Sequence, residues 1–95
     1  MKEEPIEVYA SPHFETRLQE IISHPECREE ILRTIRFQVR IPGLSKYVGI
    51  AAPIAIPVYA LSLLESAFGP AMVVSFMRTQ DRIVLMNVRV AERFE

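Results

Sequence analysis

The sequence predicts an α+β fold: an N-terminal strand and a helical hairpin packed on an antiparallel β-sheet. Three observations carry that reading. Apolar residues recur at helical spacing through residues 13–40, and beyond residue 56 the period switches to two. The helices are grouped ahead of the main strands and do not alternate with them, which separates α+β from a parallel α/β arrangement. Charge is also concentrated at the ends. Residues 1–46 hold seven of the eleven basic and eight of the twelve acidic side chains, whereas residues 47–77 hold one charge, Glu65. A charge-poor middle between amphipathic ends is the pattern of a single core whose central strands lie mid-chain. With 95 residues, 49% of them hydrophobic and 24% charged, residues 1–95 read as one domain.

The elements follow in order. Ile6-Glu7-Val8-Tyr9 alternates apolar and polar residues and predicts a short strand. Ser11-Pro12 has the form of an N-cap followed by proline at the first helical position. The spacing then predicts a helix over 13–23 with Phe14, Leu18, Ile21 and Ile22 on one face. Pro25 interrupts it, and Ser23 with Glu26 three residues later has the form of a capping box for a second helix over 26–40. That helix carries Cys27, Ile31, Ile35 and Val39 at steps of four, with Arg28, Arg33, Arg36 and Arg40 mostly away from the stripe. Ile41-Pro42-Gly43 stops it, and so short a break between helices predicts an antiparallel hairpin.

Strands are expected over 56–64, 71–78 and 83–90 in one antiparallel sheet. Ser66-Ala67-Phe68-Gly69-Pro70 and Thr79-Gln80-Asp81-Arg82 are the turns between them. The last two strands are apolar on both faces for part of their length, which calls for helices on one side and another cover on the opposite side. The expected core contains Leu18, Ile22, Ile31, Ile35, Val74, Phe76, Val84 and Met86.

Composition narrows the function classes. A net charge of −1 and a pI near 6.1 argue against a dedicated nucleic-acid binder, which needs a basic excess to neutralise phosphates. Cys27 stands alone, so no intrachain disulfide requires an oxidising compartment, and a cytoplasmic location is the default. The opening Met1-Lys2-Glu3-Glu4-Pro5 carries both signs of charge ahead of no apolar run, unlike a signal peptide. Residues 47–64 are uncharged and reach the lower limit of a membrane span, but Pro53 and Pro57 would break a spanning helix. They read as a buried segment, and no membrane partner is expected.

Few residue groups carry chemistry. His24 and Cys27, with His13 as a third ligand, lack the second pair that a zinc site needs. Cys27 reads as a core residue and His24 as a cap or surface residue, so no metal or cofactor is expected. Glu29 and Glu30 are adjacent on a helix and point in different directions. Gly43, Gly49 and Gly69 are too scattered to cradle a phosphate. The arginines of the second helix are diluted by Glu26, Glu29 and Glu30, as on a solvated helix face. Arg89, inside an otherwise apolar strand, and Arg93, just beyond it, stand out. An arginine so placed snorkels, pairs with an acid, or faces a polar ligand or partner.

Four stretches carry a resemblance. They are Ile6-Glu7-Val8-Tyr9-Ala10-Ser11-Pro12-His13-Phe14, the helical hairpin of 13–40, Pro42-Gly43-Leu44-Ser45-Lys46 as a linker into the sheet, and a final hairpin. The hairpin comprises Gly69-Pro70-Ala71-Met72-Val73-Val74-Ser75-Phe76 and Asp81-Arg82-Ile83-Val84-Leu85-Met86-Asn87-Val88. Over nearly its whole length the chain resembles the RelE/ParE toxin superfamily of bacterial type II toxin–antitoxin systems. The resemblance implies an antitoxin or a second copy of the chain as partner, with messenger RNA on the ribosome or gyrase as target. For a metal-independent endoribonuclease it implies Arg89 and Arg93 as catalytic groups, with Lys46 or Arg78 contacting RNA phosphate.

The departures weigh against cleavage. RNA-cutting members place an arginine early in the strand after that glycine, where this chain has Ala71 or Met72. Their C-terminal cluster of Arg, Lys, His or Tyr is reduced to Arg89 and Arg93. Two arginines stabilise charge but supply no general acid or base. Val58-Tyr59-Ala60-Leu61-Ser62-Leu63 is apolar where relatives carry a more polar strand, which points to a protein interface. The expectation is a toxin-like domain acting mainly through protein–protein binding. The alternatives are the endoribonuclease and an unrelated small dimerising domain.

Overall fold

The computed structural model describes residues 6–53 and 55–91. Strand β1 (Glu7–Ala10) leads into helices α1 (Pro12–Ile21) and α2 (Pro25–Gln38). Strands β2 (Ser45–Ala51), β3 (Ile56–Leu63), β4 (Met72–Arg78) and β5 (Arg82–Val90) follow. All five strands form one sheet in the order β1-β5-β4-β3-β2. β2 to β5 are an antiparallel meander, and β1 pairs parallel with β5. The expected α+β class holds, with both helices packed on a mostly antiparallel sheet.

Local chemistry starts each helix differently. At Ser11, in extended conformation, the hydroxyl accepts a hydrogen bond from the Phe14 amide at 3.1 Å, and Pro12 occupies the first turn. The same hydroxyl lies 3.3 Å from the Met86 carbonyl, and the Ser11 amide donates to the Leu85 carbonyl at 3.0 Å. This cap therefore begins α1 and ties it to β5. At α2 the expected Ser23–Glu26 capping box does not form. His24 is the N-cap and makes no side-chain cap bond. Proline favours the first helical position, and Pro25 there leaves His24 in the cap. Arg28 secures the turn instead, donating from Nη1 to the carbonyls of Ile22 at 3.0 Å and Ser23 at 2.8 Å.

The core is a single cluster. Phe14, Leu18 and Ile22 meet Ile31, Ile35 and Val39 above Leu61, Leu63, Met72, Val74, Phe76, Ile83, Leu85 and Val88. Every buried side chain among the described residues is apolar, and Cys27 packs half-buried against the cluster.

Two core expectations fail: Val84 and Met86 are only half-buried, while Ile83, Leu85 and Val88 fill the interior. Ile83-Val84-Leu85-Met86 is apolar throughout, so alternation sets no phase. A register shift between Ser75 and Phe76 then pairs Phe76 with Leu85 and Ser75 with Asn87, leaving Met86 as an extra residue. Past such a bulge the inward positions change from odd to even numbers.

β2 is a correction too, because residues 47–64 read as a buried segment with no strand expected before residue 56, and Tyr47, Val48 and Ile50 are exposed. The strand lies at the sheet edge and is mostly exposed. Its register shifts between Tyr47 and Gly49, where Gly49 takes φ +156°. An edge strand with a mid-strand bulge shows no clean period of two. The ring of Tyr47 meets Tyr59 edge-on at 5.8 Å, and Tyr59 stacks on Phe76 at 5.6 Å, fixing β2 to the meander. No helix among the described residues is long and apolar enough to cross a membrane.

Candidate interaction surface

The sheet has two unlike faces. Pleating sends Leu61, Leu63, Met72, Val74, Phe76, Ile83, Leu85 and Val88 toward the helices. Alternate residues point the other way: Val58, Ala60 and Ser62 from β3, Val73, Ser75 and Met77 from β4, and Val84 and Asn87 from β5. No described element lies over this second face. An antiparallel sheet with one solvated face normally makes that face polar. Here one row, Val58, Met77 and Val84, is wholly apolar, while the neighbouring row pairs Ala60 with Ser75 and Asn87. The Oδ1 of Asn87 on this face is buried without a hydrogen-bond partner, and so is the Oγ of Ser45 at the β2 edge. Such groups are normally satisfied.

Charged residues ring the apolar band. Glu7 and Arg82 are register partners at one end, Arg89 lies beside Val73 at the other, and Lys46 lies beside Ala60 on β2. The Tyr9 hydroxyl donates to the Glu7 carboxylate, and the Arg82 guanidinium sits 5.2 Å from the Tyr9 ring centroid. The hydrogen bond to Glu7 raises the Tyr9 phenol above its usual pKa. Desolvation and the Glu7 charge act the same way, and the Arg82 charge opposes them.

The expected site residues do not converge. Lys46 and Arg89 share the uncovered face, but β3 and β4 lie between their strands. Three strand spacings of ~4.8 Å and a two-residue offset along the ladder put their backbones about 16 Å apart. Arg78 is on the helix-bearing side, beside Ile83 at the far end of β4, where it lines a cavity of about 240 Å³ with Pro42, Ser45, Tyr59 and Phe76. Arg93 lies outside the described residues.

The α2 arginines are partly engaged. Arg33 pairs with Glu30 at 2.6 Å, and Arg40 Nε donates to the Ile6 carbonyl at 3.1 Å. Among the described residues no three His, Cys, Asp or Glu side chains gather as a metal site.

Sequence reading expected another cover opposite the helices and an interface at residues 58–63, but not which residues would line that face. The signal was present in the two-sided apolarity of β4 and β5, although only the register shows which residues point outward. No protein-family model matches the chain, and no curated protein or solved structure matches it either. The likeness to RelE/ParE toxins therefore rests on the four stretches quoted above.

Proposed function

We propose that this protein is a small toxin-like domain of the RelE/ParE type that acts mainly by binding another polypeptide through the uncovered sheet face. The observation that carries the reading is the composition of that face. Val58, Met77 and Val84 form an apolar row across β3, β4 and β5, the next row along the strands is Ala60, Ser75 and Asn87, and charges sit at the margin. This is the anatomy of a protein interface, with an apolar middle and a polar rim. Lys46, Arg82 and Arg89 outnumber Glu7 at the rim. The complementary partner is an amphipathic, acidic segment, such as an antitoxin would present, with apolar residues on the band and carboxylates toward Lys46 and Arg89. Arg78 lies on the opposite side of the sheet from Lys46 and Arg89, which supports binding over phosphodiester cleavage by the three together.

Tagged protein expressed from its native locus, with and without Val73→Arg and Met77→Arg, tests this reading. Both substitutions place a cation on the uncovered face and leave the helix-side core untouched. A co-purifying acidic chain lost from both variants, and growth arrest when the domain is expressed without that chain, are the expected results. Retention of the partner by both variants would remove the sheet face as its site. Ribosome-dependent messenger RNA cleavage by the wild type, abolished by Arg89→Ala or Arg93→Ala, would replace binding with the endoribonuclease reading.

A further inference from the structure

The cavity beside Arg78 carries chemistry that the uncovered sheet face does not use. β4 sends Phe76 and Arg78 to the helix-bearing side. Register puts Tyr59 of β3 beside Phe76, and Ser45 of β2 beside the buried Leu61, on that same side. After α2 the chain crosses to β2 through Ile41, Pro42 and Gly43, with Gly43 at φ +91°. Glycine takes that left-handed conformation without strain, so the crossing stays short. These three residues, with Ser45, Tyr59, Phe76 and Arg78, line a cavity of about 240 Å³.

Its side chains are one-sided in chemistry. The half-buried guanidinium of Arg78 is the one charge on the wall, and no carboxylate lines the cavity. Neither that guanidinium nor the Tyr59 hydroxyl has a hydrogen-bond or ion-pair partner among the described residues. The Oγ of Ser45 is buried and also has none. Buried polar groups are normally satisfied, and a guanidinium partly withdrawn from water gains most from a charged acceptor. The rest of the wall, Ile41, Pro42 and Phe76, is apolar.

We propose that this cavity binds one carboxylate group on a short hydrocarbon body, held by the Arg78 guanidinium with the Tyr59 and Ser45 hydroxyls donating to it. Charge selects the carboxylate. One guanidinium balances one negative charge and meets both carboxylate oxygens with its planar fork. A doubly ionised phosphate would bring a second charge that no residue of the wall neutralises. Size selects the body. The space equals about eight waters at ~30 Å³ each, below the ~300 Å³ at which pockets begin to hold drug-sized ligands. A free short-chain acid and the side chain of a glutamate in a bound polypeptide both present this group. The cavity lies across the sheet from the proposed interface and does not depend on that reading.

Heteronuclear NMR titration of the isotope-labelled full chain at neutral pH provides the test. The probes are sodium butyrate, its neutral counterpart butyramide, N-acetylglutamate N-methylamide and inorganic phosphate. Butyrate should give saturable shifts centred on the amides of Gly43 and Ser45 and the Nε–H of Arg78, and butyramide should give none. Tighter binding of the capped glutamate than of butyrate supports the site with a polypeptide as source, and the reverse order supports it with a free acid. Arg78→Gln should weaken butyrate about tenfold or more. Ser45→Ala removes a buried hydroxyl that has no partner, so the free protein should be no less stable while butyrate binds severalfold more weakly. A serine with a merely structural role would not separate those two readouts. If Arg78→Gln fails to fold, Arg78→Lys decides, because it keeps the charge and loses the fork, and unchanged affinity refutes the site. The proposal is also overturned by the absence of saturable shifts from either carboxylate up to about 0.1 M. Butyramide binding as well as butyrate, or phosphate binding more tightly than both carboxylates, overturns it equally.

Discussion

The two faces of the sheet each carry an apolar row of similar residues, with different fates. On one, Val74, Phe76, Ile83 and Leu85 are at most 1% exposed beneath α1 and α2. On the other, Val73, Met77 and Val84 are nearly as apolar and remain half-open. Apolar composition therefore does not by itself assign a residue to the folding core. What separates the faces is the chain's supply of amphipathic helices, which is enough to cover one side. The second apolar face then marks surface awaiting another chain.

Truncation on the two faces gives the largest contrast. Ile35 is fully buried at the centre of the helix–sheet contact, and Ile35→Ala should cost about 2–5 kcal/mol through lost burial and the cavity left behind. Val84→Ala removes methyl groups that are only half withdrawn from water, and should cost about 1 kcal/mol or less in the free protein. Chemical denaturation of the two variants checks the ratio. Equal losses would mean that the outer face is already covered in the isolated chain. A Val84→Ala loss that grows when partner is present would sharpen its assignment as binding surface.

The two helix starts offer a smaller contrast. Ser11→Ala removes the hydrogen bond to the Phe14 amide and the hydroxyl contact with Met86, and should destabilise by about 1 kcal/mol. His24→Ala removes an N-cap side chain that caps nothing, so its thermal midpoint should hardly move. Arg28→Ala should lower the midpoint more than His24→Ala, because Arg28 holds two carbonyls of that turn. The reverse order would show that the histidine secures α2.

These differences also explain what the sequence made legible. The helices were readable because Phe14, Leu18 and Ile22, and then Ile31, Ile35 and Val39, keep one helical phase against one core. The phase of β5 was not, because four consecutive apolar residues precede a bulge. β2 was hidden because an edge strand is free of the burial that writes a period of two into a sequence. Arg89 was visible as a charge in an apolar run. Its distance from Lys46 and Arg78 depends on strand order and register, which one chain's pattern does not encode.

The smallest expected effect lies at the rim of the open face. The Tyr9 hydroxyl donates to Glu7, and ionising the phenol would both break that bond and set two anions side by side. The Tyr9 pKa is therefore raised, with the Glu7 hydrogen bond as the leading cause. A phenol whose pKa is higher in the folded state holds its proton more tightly there than in the unfolded chain. Its contribution to stability is present below the ordinary value of about 10 and is lost as pH rises through the folded value. Absorbance titration should resolve Tyr9 as ionising above an ordinary tyrosine, and Glu7→Gln should bring it down by removing the carboxylate charge. A Tyr9 titration that is unmoved by Glu7→Gln would detach the tyrosine from this rim cluster.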